Sequence, residues 1–154
     1  MSTNSSREET STQRTLVWLH EDSLSPRDPA LLANPEAPAV FIWDDAVVEA
    51  EAYSLKRIVF QYECLIETPA ESLRGDTVDS LLWKAKQTEA SRIAVTWSVQ
   101  PRFQDWLRAL QRHLPVDVLR ANAFIPPGLN ADLRRFSRFW KRAERYSFGK
   151  GLGS

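Results

Sequence analysis

The run Leu16-Val17-Trp18-Leu19 constrains this chain most, because it stops abruptly at His20-Glu21-Asp22 and leads into Asp28-Pro29-Ala30-Leu31-Leu32. Four apolar residues in succession leave no polar face for water, which predicts a strand buried on both sides. The polar stop, a turn and a proline at a helix start then predict the first strand, loop and helix of a parallel α/β domain. The strand is expected over Thr15 to Leu19 and the helix over about Pro29 to Ala33.

The same alternation continues. Pro38 to Trp43 is a second apolar run, ended by Asp44-Asp45. From Tyr53 to about Thr68, Leu55, Ile58, Val59, Tyr62, Leu65 and Ile66 recur at three- and four-residue steps, predicting one inward face of an amphipathic helix. A short, weakly patterned strand over Ala70 to Arg74 suits a sheet edge. Asp76 can cap a helix to about Thr88, with Val78, Leu81, Leu82 and Ala85 inward. A strand over Ser91 to Trp97, a helix over Pro101 to His113 and a strand over Val116 to Leu119 follow. Strands alternating with helices predict a parallel sheet with right-handed crossovers.

With 154 residues the chain has room for one core, and it divides by composition. Residues 1–14 are Ser/Thr/Glu-rich and too polar to repay ordering, so a disordered tail is expected. Residues 15–128 form the α/β domain, 129–148 a basic aromatic helical segment and 149–154 a flexible tail. Twenty acidic and twenty basic side chains cancel. The balance predicts no global attraction for nucleic acid. No apolar run reaches the roughly 20 residues needed to span a bilayer, and the polar start reads as no signal peptide, so a soluble cytoplasmic protein is expected. Cys64, the single cysteine, excludes an internal disulfide and falls on the apolar side of its helix, where packing is expected. With five glycines, three of them near the end, there is no Gly-rich phosphate loop. The only histidines, His20 and His113, leave little material for a metal site or a nucleophilic triad.

Several segments resemble the photolyase/cryptochrome family. The opening Leu16 to Asp22 and Asp28 to Leu31 is similar to its L-V-W-F-R-R-D-L-R followed by D-N-P-A-L. Ser54-Leu55-Lys56-Arg57 with Phe60 is similar to S-x-K-R-x-x-F, and Arg74-Gly75-Asp76 to its R-G-D turn. Ile125 to Gly128 resembles V-P-P-G, and Phe136 to Lys141 resembles F-T-P-F-W-K. The resemblance implies a stand-alone amino-terminal, antenna-side domain with a five-stranded parallel Rossmann-like sheet of order 3-2-1-4-5, flanked by helices and followed by a C-terminal basic aromatic helix. It also implies that the large FAD-binding helical domain, and with it the family's light-driven chemistry, is missing. The expectation is therefore a non-catalytic domain without an FAD site of the photolyase kind.

In such a sheet, ligands bind beyond the carboxyl ends of the strands beside the point where strand order reverses. The residues there are His20 and Asp22 after the first strand, Trp43 and Asp44 after the second, and Trp97, Ser98 and Gln100 after the fourth. Indole faces stack planar heterocycles while polar groups fix their edges, so Trp43 and Trp97 suit a nucleotide or a small chromophore. The resemblance implies a flavin, deazaflavin or folate-type antenna. Against that, the family's Arg-Arg falls on His20 and Glu21, and its Asn after the fourth strand is absent from Trp97 to Pro101. The alternative reading of both tryptophans is packing.

The basic aromatic segment is read three ways. It folds back on its own domain; or Phe136, Phe139 and Trp140 dock a separate protein or a second copy of the chain; or its arginines make weak, salt-sensitive contacts with phosphates. No metal ligand set and no catalytic residue is assigned.

Overall fold

A computed structural model describes residues 13–121. Five strands, β1 (Thr15–Leu19), β2 (Ala39–Trp43), β3 (Glu71–Arg74), β4 (Arg92–Thr96) and β5 (Val116–Leu119), form one sheet in the order β3-β2-β1-β4-β5. All four pairings are parallel. The expected architecture and strand order are those observed.

Four of the five described helices begin where the sequence supplies a side-chain cap. In α1 (Pro29–Ala33), Asp28 accepts from the Leu31 N–H while Pro29 occupies the first turn. Asp44 caps α2 (Asp45–Ala50), Ser54 caps α3 (Leu55–Ile66) and Asp76 caps α4 (Thr77–Gln87). In α5 (Pro101–Gln111) no side chain caps the start, which Pro101 opens. Between β3 and α4, Gly75 holds a φ of 153°, and a Cβ there would lie 3.0 Å from the Ser80 hydroxyl. Short Asx and Ser caps and one glycine turn thus start α1 to α4, and a proline starts α5.

The sheet is covered on both faces. On one side Leu16, Trp18, Val40, Ile42, Ile93 and Val95 pack with Leu81 and Ala85 of α4 and Phe103 and Leu110 of α5. On the other, Val17, Leu19, Phe41 and Ala94 meet Ala30 and Leu31 of α1 and Leu65 of α3. Strand β1 is buried along its whole length, as the unbroken apolar run requires. Strands β3 and β5 lie at the edges; β3 is largely exposed, while β5 is half-buried.

The expected inward face of α3 is corrected. Leu55, Val59, Tyr62 and Ile66 are exposed, Leu55 by 76% and Ile66 by 68%. The inward residues are Gln61 and Leu65, with Ile58 half-buried. Two apolar stripes, separated by about a third of a turn, are present on this helix. Arg57 and Gln61 both reach Glu21 after β1, and that polar anchor turns the second stripe outward. Cys64 is only half-buried. Helix α2 occupies a stretch that the sequence reading left between the second strand and the long helix.

The expected tails and the helical segment carrying Phe136, Phe139 and Trp140 lie outside the described residues, apart from Gln13 and Arg14 of the first tail. Among the described residues no helix is long and apolar enough to cross a membrane.

Candidate functional site

A cleft opens at the carboxyl ends of β1 and β2, next to the β1/β4 boundary where the chain's strand order reverses. Counted out to its mouth it holds ≈ 520 Å³ free of protein atoms, while the centre of a water molecule has ≈ 50 Å³ in which to move. It is a narrow slot. The rings of Trp18, Phe103 and Trp106 line one part, those of Phe41 and Trp43 another, and Val47, Val48 and Tyr53 come from α2 and the turn after it.

The aromatic wall is preassembled. Trp18 stacks on Phe103 with ring centroids 5.5 Å apart and meets Trp106 edge-on at 6.0 Å. Trp43 meets Phe41 edge-on at 5.0 Å. Such contacts hold ring planes fixed, so side-chain entropy is already spent before any ligand arrives.

His20 is 7% exposed and packs 5.2 Å from Phe103, centroid to centroid. Its Nε2 lies 2.7 Å from the Thr96 carbonyl oxygen. A carbonyl can only accept, so Nε2 carries the proton and Nδ1 the lone pair. Burial pushes the imidazole pKa down, against the smaller upward pulls of that hydrogen bond and of Asp22 and Asp28. His20 is thus a neutral clasp between β1 and β4 with an acceptor nitrogen to spare.

Glu21, which stands where the resemblance implied a cation, is the organising charge. Its side chain is 12% exposed. Oε2 accepts from the Tyr53 hydroxyl at 2.5 Å, Arg57 at 2.6 Å and the Gln61 amide at 3.0 Å. Its other oxygen pairs with Arg102. Arg102 also binds the Tyr53 hydroxyl at 2.9 Å and Glu51 at 2.8 Å. The Arg57 guanidinium lies over the Tyr53 ring, 3.8 Å from its centroid. Burial raises the Tyr53 pKa, with Arg57 opposing, and burial alone lowers that of Arg102, which stays a cation at neutral pH. No local pattern of α3 or α5 marks Arg57 or Arg102 as functional. Only the fold brings them to Glu21.

The sequence-derived candidates divide. Asp22, Ser98 and Gln100 are brought together, yet they satisfy one another: Asp22 accepts from the Ser98 hydroxyl at 2.5 Å and the Gln100 amide at 2.8 Å. Asp44 lines the cleft but is engaged in structure. One oxygen accepts from the Ala46 and Val47 N–H groups, the other from the Thr77 N–H at 3.0 Å and hydroxyl at 2.8 Å. It therefore caps α2 and anchors α4.

Trp97 is corrected. It is not among the cleft's lining residues and is 37% exposed. Its N–H donates to Leu119 at 2.7 Å on the β5 side, and its ring lies 4.7 Å from the Arg120 guanidinium. Trp43 and Trp97 therefore do not share a pocket. The aromatic residues that do line it, Trp18, Phe103 and Trp106, were missed, although the Phe103/Trp106 spacing on α5 was a readable signal.

Among the described residues no cluster of three His, Cys, Asp or Glu side chains is placed to hold a metal ion.

No protein-family model matches the chain, and no curated protein matches it. Among solved structures, a universal stress protein in complex with cAMP is similar, with 17% identity and a TM-score of 0.38 over 72% of this chain and 98% of its own. A likeness of that size assigns no ligand here.

The photolyase/cryptochrome assignment is corrected, since no family model and no curated protein supports the motifs. The motifs at Ile125 to Gly128 and Phe136 to Lys141 lie outside the described residues, and the physical reason lies in what the others do. Asp28 and Pro29 start α1, Ser54 caps α3, Gly75 makes a turn that favours glycine and Asp76 caps α4. They are requirements of a parallel α/β domain as such, so their order and spacing follow from the fold without common function. The antenna chemistry drawn from that family goes with it.

Proposed function

We propose that this chain is a binding module that receives a planar heterocycle of the nucleotide class in the slot at the ends of β1 and β2. The observation that carries the reading is the slot itself: two sets of fixed aromatic rings beside the strand-order reversal, with the His20 Nδ1 lone pair and the Arg102 guanidinium nearby. Stacking between rings and a few polar contacts at the edge is how such ligands are held. A role in binding rather than catalysis fits the commitment of the site's acids. Both oxygens of Asp44 cap helices, and Glu21 is held by two guanidinium groups, leaving neither carboxylate placed to act as a general base.

Calorimetric titration of the full chain with adenosine, AMP, riboflavin and FMN tests the proposal. Saturable binding by at least one of them, weakened by Trp43→Ala, is expected. Absence of binding by all four at millimolar concentration overturns it. The alternative, docking through Phe136, Phe139 and Trp140, rests on residues outside those described.

A further inference from the structure

Resting on the reading just proposed, we infer that the slot selects a heterocycle carrying an anionic group such as a phosphate, and that this group takes the place of Glu51 on Arg102. The argument begins with the charges at the mouth. Arg57 and Arg102 supply two positive charges, and Glu21 and Glu51 supply two negative ones. The two carboxylates are not equivalent. Glu21 is almost enclosed, with three hydrogen bonds on one oxygen and the Arg102 ion pair on the other, so removing it would strand two guanidinium groups. Glu51 is 51% exposed along its side chain, and among the described residues its carboxylate pairs with Arg102. An ion pair so open to water is cheap to break.

The position of Glu51 makes the exchange useful. It follows α2 directly, and the next residue, Ala52, holds a φ of 48°, a left-handed conformation uncommon for a residue with a Cβ. Tyr53 comes next and hangs on Glu21 and Arg102 through its hydroxyl. Val47, Val48 and Tyr53 line the slot, in which the centre of a water molecule has only ≈ 50 Å³ to move. The segment from α2 to Tyr53 is therefore the wall that must move to admit a nucleotide. When it moves, Glu51 leaves Arg102, and one positive charge at the mouth loses its counter-charge. An incoming phosphate restores the balance and accepts the N–H bonds that Glu51 gave up, as guanidinium groups do well. Asp22 lies nearby with its oxygens occupied by Ser98 and Gln100 and opposes the anion, which keeps the gain moderate.

Neutral and phosphorylated forms of the same heterocycle separate this inference from the reading beneath it. The full chain is titrated with adenosine against AMP and riboflavin against FMN. The phosphorylated member is expected to bind about tenfold more tightly in at least one pair, the scale of one charged hydrogen-bonding group. Glu51→Gln, at a half-exposed position that leaves the fold intact, removes the competitor and should tighten the phosphorylated member several-fold without changing the neutral one. Arg102→Gln should erase the difference, with circular dichroism to confirm folding. Equal affinity within each pair, or no response to Glu51→Gln, overturns the inference and leaves the slot as a site for neutral heterocycles. If no compound binds, both proposals fail together.

Discussion

His20 donates its Nε2–H to the carbonyl oxygen of Thr96 at 2.7 Å, joining the end of β1 to the end of β4 across the reversal of strand order. The same threonine accepts the Ala30 N–H through its hydroxyl at 3.2 Å, so one residue of β4 anchors both the strand beside it and the helix that follows. His20 lines the slot, so the clasp fixes one part of its wall.

The clasp should make stability depend on pH. Burial holds the His20 pKa below its ordinary value of 6.5, which the unfolded chain recovers. As pH falls through the ordinary value the unfolded state binds more protons than the folded one, so unfolding becomes easier on the acid side and stability returns above it. His20→Gln keeps an N–H donor but cannot titrate. Urea midpoints of the two proteins between about pH 5.5 and 8 should diverge with the wild type losing more on acidification. Parallel profiles would remove His20 as the source.

Asp44 joins two helices through four hydrogen bonds, and the loss of a single cap costs about 1 kcal/mol. Asp44→Ala is therefore expected to destabilise by about 2 kcal/mol or more, measured by urea denaturation. Thr77→Val, which removes one of the four, should cost less. An unchanged midpoint in Asp44→Ala would contradict its role as a double cap.

The rotation of α3 is open to an equally direct check. Leu65→Ala should cost about 2–4 kcal/mol, as buried leucines do, while Ile66→Ser should change stability by about 0.5 kcal/mol or less. Neighbours in sequence would then differ severalfold in cost. Were Ile66→Ser the more damaging of the two in chemical denaturation, the exposed stripe would have to be covered in solution.

Trp43 and Trp97 should behave differently towards ligand. Trp43→Ala removes a ring that lines the slot and should weaken binding of the best nucleotide by about fivefold, in line with the scale of about 1 kcal/mol for an aromatic contact. Trp97→Ala, on the β5 side, should leave affinity as it was. Comparable losses from both substitutions in calorimetry would return Trp97 to the site.

Much of the fold was legible because its determinants are local. The unbroken apolar runs of β1 and β2 must be buried on both faces, and Asp28, Ser54 and Asp76 announce helix starts by bonding N–H groups only two or three residues ahead. The position of the cleft followed from topology, which placed His20, Asp22, Trp43, Asp44, Ser98 and Gln100 near the correct strand ends. Their tasks did not follow. A carboxylate at a strand end looks the same in sequence whether it faces a ligand, as expected of Asp44, or closes two helix termini, as it does.

By itself, then, the sequence determined the elements other than α2, their parallel arrangement and the end of the sheet at which the cleft lies, since periodicity and capping act over a few residues. Tertiary structure decided everything that depends on partners far apart in the chain. Glu21 draws in Tyr53, Arg57, Gln61 and Arg102 from 32 to 81 positions away, and in doing so turns α3, closes the slot and loads Arg102 with Glu51. A nearly enclosed carboxylate must be neutralised by whatever cations the fold can deliver, and which ones those are is a property of three-dimensional proximity that no local pattern encodes.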